Sequence, residues 1–215
     1  MKKGLFVITT ISIFLLLTLS SCMLFDFEKP APVTLLWHIR DESLSDATFA
    51  YDPDTDILFL RGGNGSTSAV MAVNFKDKKI LWKRKYPMGR AVSTNIKTYD
   101  GKVYFLQDKI LSSDATPGLV ALDEKTGEQL WKLPFEKSGI FNGLTIYKGY
   151  VYTPGGGYYE STYLYKVDAE NGKVIWKTPI QGGFGTQPII DEGYGYVYVG
   201  GTLDPDDDVD PRYFY

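Results

Sequence analysis

Four tryptophans divide this chain at nearly equal intervals. Trp37, Trp82, Trp131 and Trp176 lie 45, 49 and 45 residues apart. Each follows an aliphatic residue (Leu36, Leu81, Leu130, Ile175), and the last three precede Lys83, Lys132 and Lys177. The segments leading into those three align without gaps: VMAVNFKDKKILW (70–82), LVALDEKTGEQLW (119–131) and LYKVDAENGKVIW (164–176). A second marker keeps the same period. It is an aromatic-aliphatic run after a turn: DILFL (56–60), GKVYFL (101–106), GYVYT (149–153) and GYVYV (195–199). Two markers on one period define a repeat, and a repeat of this length constrains the fold more than any local propensity.

Each unit holds four short runs rich in Val, Ile and Tyr, separated by turn residues. In the third unit they are Leu144–Tyr147, Tyr150–Tyr152, Tyr163–Val167 and Val174–Lys177. Sustained helical periodicity is confined to the N-terminal apolar stretch. Between the third and fourth runs, Asp123 to Gly127 and Asp168 to Gly172 read as tight turns: the Asp accepts backbone N–H bonds and the Gly supplies a positive φ. Lys78 stands where Gly127 and Gly172 stand, so its hairpin is expected to be strained or differently shaped. Four-stranded antiparallel units at this period are blades of an all-β propeller. The tryptophans then read as structural plates between blades, not as a substrate platform. The four blade spans are expected at 48–85, 91–134, 140–179 and, with three strands, 186–215.

The pattern Ala-x-Asp-x-x-Thr-Gly-x-x-x-Trp at Ala121–Trp131 resembles the repeat of pyrroloquinoline-quinone (PQQ) type, or quinoprotein-like, propellers. Lys166–Trp176 departs from it with Lys for Ala and Asn171 for Thr, and Ala72–Trp82 with Asn74 for Asp. The resemblance covers residues 34–215. It implies seven or eight blades, roughly 330–380 residues at this period, so three to four blades make an incomplete propeller. Two alternatives stay open. The strand-like VTLLWHI (33–39) completes a closed four-bladed ring if it pairs with 212–215, or copies of the chain complete one another. Quinoprotein dehydrogenases of similar fold carry paired cysteines, a calcium site and a catalytic Asp. Here Cys22 is the one cysteine, and no residue matches that Asp. The resemblance extends to the lipoprotein scaffold of outer-membrane barrel assembly, which implies other envelope proteins as partners.

The ends and the charge narrow the function. Lys2 and Lys3, an apolar run from Leu5 to Leu19 and Ser20-Ser21-Cys22 make residues 1–22 a secretory signal ending in a lipobox-like motif. Cys22 is the expected lipidation site, and residues 23–33 a tether. That places the chain in the cell envelope, on the outer membrane facing the periplasm or on the outer face of the cytoplasmic membrane. Of 23 basic residues, cleavage removes Lys2 and Lys3 and leaves 21 against 26 acids, which argues against nucleic acid as a partner.

The run 204–211 reads as the one charge cluster. Asp204, Asp206, Asp208 and Asp210 alternate as hard oxygen ligands for calcium would. The loop lacks the central Gly and closing Glu of an EF-hand, so the preferred reading is a solvated acidic loop. His38, the one histidine, supports neither a triad nor a metal site. Glycines 155–157 and 182–183 lack a following helix or Lys and read as blade loops. No cofactor and no catalysis are expected. The function read from sequence is a protein-binding scaffold, with an envelope ligand-binding or sensor propeller as the alternative.

Overall fold

The computed structural model describes residues 38–39, 41, 44, 47–63, 67–87, 96–107, 116–136, 143–156, 162–180 and 186–200. All its strands lie in the compact unit Asp41–Tyr215. The first blade is β1 (Thr48–Asp52), β2 (Ile57–Gly63), β3 (Thr67–Asn74) and β4 (Lys79–Pro87). The second is β5 (Lys97–Tyr99), β6 (Lys102–Gln107), β7 (Gly118–Asp123) and β8 (Gln129–Pro134). The third is β9 (Thr145–Tyr147), β10 (Tyr150–Gly156), β11 (Thr162–Asp168) and β12 (Val174–Ile180). Strands β13 (Ile189–Asp191) and β14 (Tyr196–Tyr198) begin a fourth. Within each blade the strands lie in chain order and every pairing is antiparallel. The first three blades fall on the spans expected from sequence, and the fourth span is described only in its first two strands. The third strand expected in 186–215 lies outside the described residues, as does pairing of 33–37 with 212–215.

Packing explains why the inner strands read as continuous apolar runs. In the second blade, Val103 and Phe105 join Ile57, Phe59, Val70, Ala72 and Trp82 in the core toward the first blade. Tyr104 and Leu106 turn the other way, into a core with Phe135 of the connection and Leu144, Val151, Tyr165 and Val167 of the third. Strand β6 is therefore buried on both faces and has no polar side to alternate with. A smaller cluster of Leu164, Ile180 and Val199 joins the third blade to the fourth.

Each blade repeats one cross-strand row. Phe59, Ala72 and Trp82 pair across the first; Tyr104, Ala121 and Trp131 across the second; Tyr152, Lys166 and Trp176 across the third. The inner aromatic and the outer Trp reach ring-centroid distances of 6.0, 5.9 and 6.2 Å in the three blades, whether the central residue is Ala72, Ala121 or Lys166. In each of these three blades the ladder shifts register beside the Trp. Such a bulge re-aims a side chain.

Candidate functional site

The hairpin end of the blades is built from short turns with fixed acceptors. Asp123 Oδ1 accepts from the backbone N–H groups of Lys125 (3.0 Å) and Thr126 (2.8 Å) and from the Thr126 hydroxyl (2.9 Å). Burial works to raise its pKa, and these bonds outweigh it, holding the carboxyl below its ordinary value. Asp168 repeats the arrangement with Glu170 and Asn171. Gly127 and Gly172 take φ of 69° and 75°. Lys78 takes 58°, so that hairpin keeps the shape of the others and carries the backbone strain of a side chain in the left-handed region.

These turns receive the tryptophans of the preceding blade. Trp82 Nε1–H donates to Glu124 O at 2.7 Å and Trp131 Nε1–H to Ala169 O at 3.2 Å. The Ala169 carbonyl also accepts from the Tyr104 hydroxyl at 3.0 Å. The indoles lie flat enough on the turn glycines that a Cβ on Gly127 would stand 2.6 Å from Trp82, and one on Gly172 2.7 Å from Trp131. Asp123, Gly127, Asp168 and Gly172 are thus brought to the blade seams with Trp82 and Trp131. Trp176 packs on Tyr152 and the small third cluster. Trp37 lies outside the described residues.

Glu124 is the buried carboxyl of this end, 3% exposed. Its Oε2 has no hydrogen-bond partner among the described residues. Burial, then the facing Asp52 carboxylate of the first blade, push its pKa up. Beside it lies a groove of about 370 Å³ lined by Asp100, Gly101, Lys102, Asp123, Glu124, Lys125 and Leu130. A tricarboxylate quinone needs converging cations and a stacking ring. These walls offer three carboxylates against two lysines and no aromatic side chain, and do not fit it. Among the described residues no group of three His, Cys, Asp or Glu side chains is placed to hold a metal ion.

At the opposite end, Arg61 is buried and donates from Nη2 to Leu106 O at 2.7 Å, its guanidinium 5.2 Å from the Phe105 ring centroid. Tyr86 edges onto the same ring, and burial pushes its phenol up to about 12 against the pull of Arg84 and Arg61. Lys132 Nζ donates to Gln107 Oε1 (2.8 Å) and Thr116 O (2.7 Å), and burial lowers its pKa. Gly155 and Gly156 lie in strand β10 rather than in a loop, and a Cβ at Gly155 would meet the Phe135 ring at 2.9 Å. Arg61, Tyr86 and Gly155 join neighbouring blades and Lys132 ties strands within the second; none forms a nucleophile–base pair.

The outermost strands are edges, and β4 differs from β8 and β12. Between Lys76 and Lys85 stand six basic side chains and one acid. Lys76, Lys78, Lys79, Arg84 and Lys85 are exposed. Lys83 Nζ sits 2.5 Å from Asp41 Oδ2, and Arg84 Nε–H donates to Gly127 O at 3.1 Å. The run 204–211 is therefore not the chain's one charge cluster. The signal KDKKILWKRK is plain in the sequence; it is hidden there because the repeat assigns the same residues to a strand. Asp204, Asp206, Asp208 and Asp210 lie outside the described residues, as does Cys22. His38 is exposed. Among the described residues no helix is long and apolar enough to cross a membrane.

The blades, their tryptophan seams and their turn chemistry define a propeller of the PQQ repeat type. The family model described as outer membrane protein assembly factor BamB matches residues 34–138 and 115–204, and the chain belongs to that family. A tetrathionate hydrolase of Acidithiobacillus ferrooxidans is 26% identical over 138 residues, 64% of this chain and 25% of that one. Three solved structures share the fold. BamB from Moraxella catarrhalis has a TM-score of 0.51 at 13% identity, over 72% of this chain and 39% of its own. The Dos1 propeller has 0.53 at 16%, over 72% and 42%. Kuenenia stuttgartiensis hydrazine synthase has 0.55 at 13%, over 70% and 42%. The chain thus spans a quarter of the curated relative's length and about two fifths of each solved chain.

Proposed function

We propose that this chain is a non-catalytic, protein-binding scaffold of the cell envelope that serves outer-membrane protein assembly. The observation that carries this reading is the match of residues 34–204 to the assembly-factor family. The described blades support it chemically. Arg61 and the indole N–H groups of Trp82 and Trp131 are spent on seams between blades, while the outer strands leave Leu81, Leu130 and Ile175 each 45% to 47% exposed. Exposed strand edges of this kind suit partner binding through backbone and side-chain contacts. The proposal includes residues 1–22 as a lipoprotein signal, lipidation of Cys22, and 23–33 as the tether. Two or three acyl chains, at about 0.8 kcal/mol per buried methylene, hold such a domain on a membrane.

The test is genetic and biochemical. Loss of the gene should lower the amount of β-barrel proteins in the outer membrane, and the wild-type chain should restore it. Photo-crosslinkers at Leu130 and Ile175 should capture a component of the assembly machinery. Unchanged barrel content would contradict the scaffold reading, and tetrathionate turnover by the purified chain would replace it with the enzymatic one.

A further inference from the structure

We propose that the outer strand of the first blade is a docking surface for an anionic lipid layer. The whole chain carries a formal charge of −3, so general basicity does not explain a hairpin and strand with six cations between them. Protection of an edge against unwanted pairing is the ordinary use of edge lysines. Strands β8 and β12 are equally outermost and, counted with their hairpins in the same way, carry two cations each: Lys125 and Lys132, and Lys173 and Lys177. The two that lie in the strands are engaged: Lys132 holds Gln107 and Thr116, and Lys177 lies 4.7 Å from the Tyr163 ring centroid. On the first blade, Lys76, Lys78, Lys79 and Lys85 are exposed and have no ion-pair partner among the described residues.

The spatial pattern selects the occupant. A site for one carboxylate or one acidic side chain gathers its cations on a point. Here they are spread from the hairpin tip to Lys85 on strand β4, the strand part alone spanning about 20 Å at the usual rise. Ile80 and Leu81, 53% and 45% exposed, stand in the middle of the lysines. Long cationic side chains around a small apolar centre suit a planar layer of anionic headgroups, where each lysine strengthens partitioning about fivefold. The surface is independent of the scaffold reading: it orients the blade on a membrane whatever the other edges bind.

Lysine footprinting on the full chain tests this. The protein is held by its N-terminal segment in vesicles of phosphatidylcholine, with or without phosphatidylglycerol. Acylation of each lysine is followed by mass spectrometry. Lys76, Lys78, Lys79 and Lys85 should react severalfold more slowly in the anionic vesicles and recover at high salt. Lys173, exposed on the third blade, should react alike in both. Equal rates for the four lysines in the two vesicle types would overturn the proposal. Protection by an acidic peptide in neutral vesicles, with no effect of phosphatidylglycerol, would also overturn it and assign the strand to an acidic protein segment.

Discussion

Two residues show how closely the seams are fitted. Gly172 has φ of 75° and the Trp131 ring where a Cβ would go. Gly172→Ala should cost about 1–2 kcal/mol from conformation alone, and more as the indole is displaced; urea unfolding reads the sum, and a neutral substitution would mean that the ring is not seated there. Glu124 tests the electrostatics. Its carboxyl is raised above its ordinary value by burial and by Asp52. The folded state therefore binds its proton more tightly than the unfolded state does. The stabilising contribution is complete below the unfolded pKa of about 4.3 and is lost as pH rises through the folded value. Glu124→Gln keeps a neutral group at the seam. It should stabilise the protein at neutral pH and flatten the fall in unfolding midpoint above about pH 4.3. An unchanged pH profile would show that Glu124 ionises freely.

The hairpins are where sequence and structure can be compared strand by strand. Lys78 lacks the glycine of its counterparts and still adopts the left-handed turn, so Lys78→Gly should raise stability by about 1 kcal/mol. Equilibrium unfolding in urea checks this, and a loss of stability would mean that the lysine side chain itself holds the turn. The twelve strands of the first three blades were legible because the Trp spacing and the aromatic-aliphatic runs mark the outer and second strand of every unit. The seams were only half legible. The Asp and Gly of each turn are visible as turn residues, but the Trp82 to Glu124 bond spans 42 positions and has no local signature. Glu124 itself looks like a surface residue in DEKTG, because nothing nearby in sequence announces that Asp52 and Trp82 will cover it. Gly155 and Gly156 read as loop because the ring that requires them, Phe135, belongs to the connection from the second blade. The basic strand was visible as a run of charge and obscured by its place in the repeat.

At the scale of the molecule, stability is a chain of neighbour contacts. Each blade buries one face on the next, as in other repeat architectures where nearest-neighbour interfaces carry much of the energy. Trp131 and Tyr104 on one blade and the Ala169 carbonyl on the next form the seam between the second and third blades. The same device, with Phe59 and Trp82, closes the seam before it. Lys102 adds an ion pair to Glu170 at 2.6 Å across the later seam, a contact of small worth because Glu170 is exposed. The central claim is that the repeating tryptophans weld neighbouring blades rather than serve a ligand. Hydrogen exchange by mass spectrometry on Trp131→Ala tests it most directly. The substitution should cost about 3–5 kcal/mol, and exchange should accelerate both in β8, which carries the residue, and in the 168–174 hairpin of the third blade, which receives it. Acceleration confined to β8, with the 168–174 hairpin as protected as in the wild type, would contradict the account.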